Sequence, residues 1–186
     1  MVPDVHLYLC IVSHGHANLL AEVLPNFCQQ DFLSVCVVDD LGQTELRELC
    51  ATLNGAYEGP GPRSLGFGAN NNKGFYYWTE HGIRDDDYFV CCNPDLFISP
   101  AMLALLHDQL LARKPRLAAI NLFSDFSMKC PDFSIRHFPL IGDYLTRRSE
   151  VGTSAVIDKR LITKPQLCDW AAGSFLVFRS ELYRSI

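Results

Sequence analysis

The sequence has no run of basic residues, no Cys-x-x-Cys pair, no apolar stretch of membrane-spanning length and no internal repeat. Each absence removes a class of function. With no basic patch, a net charge of −5 and 20% charged residues, nucleic acid is not an expected partner. Anionic small molecules stay open, because they need local donors and a metal rather than a positive surface. The opening "MVPDVHLYLCIVSHGH" lacks a basic n-region, and its apolar run is too short to cross a bilayer. The chain is therefore read as cytoplasmic, with peripheral association at the inner face of the membrane left open. The eight cysteines show no metal-ligand spacing, and several sit inside apolar runs where a thiol behaves as a small hydrophobe. They are expected to be reduced core residues. His14, His16, His81 and His137 lack ligand spacing and read as surface or loop residues.

What is present is enough apolar material for one core: 186 residues, 48% hydrophobic, expected as one domain. Strand-like runs at 5–13, 33–38, 56–58, 88–92 and 117–121 alternate with helix-like segments at 18–29, 44–52, 71–81 and 100–113. Thr44 and Ser99 are placed to cap the helices that follow them, and Pro100 suits a first turn. Alternation of this kind predicts an α/β fold with a mostly parallel sheet covered by helices on both faces. Such sheets bind ligands beyond the carboxyl ends of their strands, where Ser13, Asp39-Asp40 and Asn93-Pro94-Asp95 all fall. Residues 121–166 lack helical period and read as an irregular region over the crevice. "LCDWAAGSFLVF" then reads as a buried strand and "RSELYRSI" as the start of a helix.

Several stretches have both a plain and a chemical reading. "GFGANNNKG" is neither a dinucleotide fingerprint nor a P-loop, yet glycines and asparagines opening a helix let backbone N–H groups approach a ligand. Asp39-Asp40 reads either as a turn that caps the next helix or as a hydrogen-bond acceptor for a base or ribose. Asn93-Pro94-Asp95 reads either as a stiff turn or as a site for Mg²⁺ or Mn²⁺ on a diphosphate, since one carboxylate plus phosphates satisfies such an ion. Arg136, Arg147 and Arg148 read as solvated arginines or a phosphate clamp. Trp170 with Gly173 reads as core packing or as a platform facing sugar or acceptor.

The order and spacing of "LCIVSHGHANLLAEVLPNF", "VCVVDDLG", "SLGFGANNNKGF", "YFVCCNPDLFISP" and "CDWAAGSFLVFRSELY" resemble the family-two glycosyltransferases of the GT-A fold. "SIRHFPLIGDYLTRR" resembles the basic-Phe-Pro segment of their rhamnosyltransferase-like branch, which builds bacterial surface polysaccharide. The resemblance implies a Rossmann-like three-layer sandwich, with 1–121 as the nucleotide-sugar-binding half and 122–186 as the acceptor-side half. It also implies inverting transfer of a sugar, rhamnose among the candidates, from a nucleoside-diphosphate donor to a glycan or lipid-linked glycan. By position it assigns Ser13, Asp39, Gly66, Asn72, Gly74 and Asn93 to the nucleotide and donor. Asp95 becomes the ligand of Mg²⁺ or Mn²⁺, and Trp170 and Gly173 fall on the acceptor side. The family's general base, a carboxylate that deprotonates the acceptor hydroxyl, is expected beyond Ile186, and Asp169 is a poor substitute by position. The chain is accordingly expected to be part of a longer enzyme, the alternatives being a nucleotide-sugar-binding module without that base, or a sugar nucleotidyltransferase.

Overall fold

The computed structural model describes residues 5–138 and 157–186. Arg147, Arg148 and most of the basic-Phe-Pro segment lie outside the described residues. The chain forms two compact units. One comprises residues up to Ala118 together with Val177–Ile186, and the other is Ala119–Leu176. The expected halves thus meet near the expected point, but the C-terminal strand and helix belong to the first unit.

The elements are β1 (Leu7–Ser13), α1 (Ala17–Cys28), β2 (Leu33–Asp39), α2 (Thr44–Thr52), β3 (Ala56–Glu58), α3 (Phe67–Glu80) and β4 (Tyr88–Cys92). They continue with α4 (Pro100–Arg113), β5 (Leu117–Ala119), β6 (Ile135–Arg136), β7 (Trp170–Ala171), β8 (Phe175–Arg179) and α5 (Ser180–Ser185). The main sheet has the order β3-β2-β1-β4-β8-β5, and the β1–β2, β1–β4 and β2–β3 pairs are parallel. Parallel strands are covered on both faces, which is why β1, β2 and β4 read as nearly unbroken apolar runs and are buried almost throughout.

Local chemistry sets most boundaries. Ser99 caps α4, its hydroxyl accepting the Met102 N–H at 3.4 Å. At α2 the expected Thr44 cap is corrected: Gln43 occupies that position, and its N–H is taken by the Asp39 carboxylate. Helix α3 starts at Phe67, a turn ahead of the expected residue 71, because Gly66 and Gly68 face open space and the backbone there meets no obstacle. The strand expected across "LCDWAAGSFLVF" is broken into β7 and β8 by a turn at Gly173.

Helix α3 packs on β1 and β2 through Gly74. A methyl group at this position would overlap Cys10 Sγ and come within 3.1 Å of Cys10 Cβ and 3.4 Å of Val38 Cγ2. The register sets Cys36, Cys10 and Cys91 side by side on adjacent strands, so the sheet carries a row of small buried thiols there. Burial pushes these thiols up, Cys91 to about 12, which leaves them protonated and unreactive.

At the amino ends of the strands, Asp87 is buried and saturated. It accepts the His6 N–H at 3.0 Å, the Arg84 N–H at 2.9 Å and the Arg84 guanidinium at 2.7 Å. Burial by itself would raise this carboxyl, but the Arg84 side chain and the two N–H groups outweigh it and hold the group below the ordinary range.

Two outcomes are expected. Gly74→Ala should cost about 1–3 kcal/mol through overpacking, read as a fall of several degrees in Tm, and Cys10→Ala in the same chain should recover part of the loss. Because the folded-state pKa of Asp87 is depressed, its contribution is present above the unfolded value of about 3.9 and is lost as pH falls through the folded value. A stability-against-pH series should therefore show a shallower acid limb in Asp87→Asn than in the parent.

Candidate functional site

The carboxyl ends of β1, β2 and β4 open onto a cleft of about 480 Å³ within the first unit. Beyond β1 its wall is Val12, His14 and His16, and beyond β2 it is Asp40. Ser64, Leu65, Phe67 and Asn70 line the side leading into α3, and Asn93, Pro94 and Asp95 close it beyond β4. The three polar strand ends expected to converge do so, and the volume lies in the range of small-molecule sites.

The β1 end is shaped by a tight turn. Gly15 lies at φ +84°, a left-handed conformation that strains any residue with a side chain. The turn lets the His14 N–H reach His16 Nδ1 at 2.9 Å and the His16 N–H reach the Ser13 hydroxyl at 3.3 Å. Ser13 itself is fully buried beneath the cleft, and its carbonyl accepts the Asp40 N–H at 2.9 Å.

The two carboxylates after β2 divide the work. Asp39 is fully buried and accepts the Leu41 N–H at 3.1 Å, the Gln43 N–H, and the Tyr57 hydroxyl at 2.9 Å. Burial first, and then the Asp39 carboxylate, push the Tyr57 phenol up to about 12, so it stays a donor. Asp40 is on the cleft wall. It accepts the Ser64 hydroxyl at 2.5 Å and the Leu65 N–H at 3.4 Å, and it lies 3.5 Å from His14 Nδ1. The Ser64 hydrogen bond is the main cause holding the Asp40 carboxyl below its ordinary range; some burial opposes it, and Leu65, Asn70 and His14 assist.

Of the donor-side residues assigned by position, Asn93 lines the cleft, Gly66 begins α3 at its edge, and Gly74 is the buried packing contact already described. Asn72 is on the exposed face of α3, where its carboxamide oxygen accepts the Tyr183 hydroxyl at 2.8 Å. Asn70 is the asparagine of the run that reaches the cleft, donating to the Leu65 carbonyl at 3.2 Å. Position in a motif could not separate these asparagines, because the helical phase of α3 does that. His14 and His16, read as ordinary loop residues, are cleft residues too.

Asp95 is exposed on the cleft beside Asn93 and Pro94. Among the described residues no three His, Cys, Asp or Glu side chains converge to cage a cation. A lone accessible carboxylate fits a magnesium-type ion that takes its remaining ligands from water and a diphosphate.

Within the second unit, β6 and β7 pair antiparallel, with Ile135 opposite Ala171 and Arg136 opposite Trp170. Trp170 is 45% exposed, so it is a surface residue rather than a core one, and Gly173 lies in the turn that follows. Asp169 accepts the Phe138 N–H and His137 Nδ1, each at 3.1 Å. The Phe138 N–H first and His137 second hold its carboxyl below the ordinary range, which makes it a weaker base.

The division between the two carboxylates has a measurable consequence. Asp39→Ala should strip partners from two N–H groups and a phenol and lower stability by about 2–4 kcal/mol. Asp40→Ala should leave Tm nearly unchanged while releasing the loop, seen as faster hydrogen exchange at the Leu65 amide.

No protein-family model matches the chain. Rhamnosyltransferase WbbL of Escherichia coli (strain K12) is 30% identical over 176 residues, which are 93% of this chain and 66% of that protein. The chain thus spans just under two thirds of its relative's length. Among solved structures, 4-diphosphocytidyl-2C-methyl-D-erythritol synthase superposes with a TM-score of 0.57 at 14% identity, covering 96% of this chain and 76% of that one. S. aureus TarS 1-349 superposes with a TM-score of 0.50 at 13% identity, covering 74% of this chain and 42% of that one. At such identities the superpositions speak for the α/β architecture, and the sequence match speaks for the lineage. With its mostly parallel sheet, its cleft at the strand ends and the motif series from Ser13 to Gly173, the chain belongs to the rhamnosyltransferase-like family-two glycosyltransferases of the GT-A fold.

Proposed function

We propose that the chain carries the donor-binding part of an inverting glycosyltransferase, which moves a sugar from a nucleoside diphosphate to a glycan or lipid-linked glycan in bacterial surface polysaccharide synthesis. The supporting observation is the cleft at the ends of β1, β2 and β4, bordered by Asp40 on one side and Asp95 on the other. Rhamnose is the donor sugar this reading favours, because the curated relative is named a rhamnosyltransferase.

In this reading the nucleoside lies between the β1 and β2 ends. Asp40, Asn70, His14 and His16 offer it acceptors and donors, while Ser13, Asp39 and Gly74 act from beneath by fixing the wall. The first turn of α3 presents the N–H groups that follow Gly66. Asp95 would hold Mg²⁺ or Mn²⁺ with Asn93 beside it, and the bound ion would offset the charge of the departing diphosphate. Trp170 and Gly173 are assigned to the acceptor side. No described helix is long and apolar enough to cross a membrane, and peripheral attachment at the inner face is part of the proposal for a lipid-linked acceptor.

Thermal unfolding with uridine, thymidine and guanosine diphosphates, each with and without Mn²⁺, tests the reading. One of them should raise Tm in a metal-dependent way, by about 3 kcal/mol of added stability at a hundredfold excess over Kd. Asp95→Ala should remove the metal dependence and leave the ligand-free Tm unchanged, because Asp95 is exposed. If no nucleotide gives a metal-dependent shift, the assignment of the cleft is wrong.

A further inference from the structure

The β6–β7 ribbon has two residues in each strand, too few to hold itself in water. It is fixed from both ends. At one end Asp169 binds the Phe138 N–H and His137, while its own N–H donates to the Arg136 carbonyl at 3.1 Å. At the other end the Ala172 N–H donates to the Ser134 carbonyl at 2.7 Å. The Ser134 hydroxyl is in turn held at 2.6 Å by Lys159 Nζ. That ammonium is fully buried and also donates to Asp132 and, at 3.1 Å, to the Leu122 carbonyl. Burying a lysine is costly unless every proton finds an oxygen, and here three oxygens are supplied.

What this framework holds still is an exposed surface. Trp170 is 45% exposed, whereas the other tryptophan, Trp78, is 7% exposed and packed in the first unit. The Arg136 guanidinium lies 5.3 Å over the Trp170 ring, and its Nε donates to the Phe133 carbonyl. The His137 and Asp169 side chains are half exposed, with their outer polar atoms free of described partners. A rigid aromatic face beside a fixed carboxylate, an imidazole and a guanidinium presents acceptors and donors around an apolar plate. A sugar ring has the matching form, with a C–H face to stack on indole and hydroxyls that both donate and accept.

We propose that the β6–β7 ribbon is a carbohydrate-binding platform, on which a pyranose ring stacks against Trp170 and bonds its hydroxyls to Asp169, His137 and Arg136. The proposal deepens the glycosyl-transfer reading by naming the acceptor's chemistry as a neutral sugar ring rather than a lipid phosphate. It rests on that reading for the acceptor role alone and not for the binding. Anchoring by Lys159 and Asp169 prepays the ordering of the ribbon, which favours a weak ligand.

The test is an NMR titration of the full chain, following the two tryptophan indole N–H signals assigned with Trp170→Phe. The probes are the methyl pyranosides of rhamnose, glucose, galactose and N-acetylglucosamine, raised to high millimolar concentration. At least one should shift the Trp170 signal saturably and leave that of Trp78 in place. Asp169→Ala should weaken that binding about tenfold, the loss expected for a hydrogen bond to a charged group, and Trp170→Ala should abolish it. Both variants should keep the parent Tm within a few degrees, since both side chains are about half exposed. A Trp170 signal that no pyranoside moves, or one that moves equally in Asp169→Ala, overturns the platform. Nucleotide binding in the cleft is read separately by Tm, so a failed platform with intact nucleotide binding leaves the transferase reading standing. Sugar binding without any nucleotide binding does the opposite.

Discussion

Helix α3 can lie on the sheet only because residue 74 has no side chain. The contact of Gly74 with Cys10 and Val38 brings the helix axis close to β1 and β2, and most of the cleft follows from that approach. A helix seated one methyl further out would carry its first turn away from the end of β2. Ser64 and Leu65 would then lose the carboxylate of Asp40, and Asn70 would leave the wall. The neighbouring positions obey the same limit, since the strand residues under this region are cysteines and valines rather than larger side chains. Dense packing transmits a small change in volume over the whole length of such an element.

The turn after β2 shows how one short acidic pair serves two ends. Asp39 is spent entirely on the protein's own donors, tying the start of α2 and Tyr57 to the sheet. Asp40, one residue on, has left the strand and meets both the glycine-rich loop and the open cleft. The rigid residue makes the exposed one dependable, because a carboxylate on a loose turn would lose much of its binding contribution to ordering. The second unit repeats this logic with different chemistry: a buried lysine and a half-exposed aspartate hold a ribbon too short to stand alone, and the ribbon displays Trp170.

Much of this was legible in the residues. The period of the apolar runs gave the strands and helices of the first unit nearly as they stand, because buried parallel strands leave a continuous apolar signal. Ser99 and Pro100 marked the start of α4, and the clustering of Ser13, Asp39-Asp40 and Asn93-Pro94-Asp95 at strand ends foretold the crevice. Less legible were the start of α3, where glycines look like loop, and the split of the final strand at Gly173. In both places turn chemistry and tertiary cover decide between conformations that local propensity leaves nearly equal.

The sequence by itself determined the class of fold, the strand ends that bear polar groups, and the motif order that marks the lineage. It could do so because hydrophobic period and chain order are written one residue at a time. Which atom of each motif faces the cleft was decided only by the tertiary structure. Asp40 rather than its neighbour reaches the wall, Asn70 does so rather than Asn72, and Trp170 stands in solvent rather than in the core. Those choices depend on helical phase, on the side from which Tyr183 covers α3, and on hydrogen bonds made across long stretches of chain, none of which has a local signature.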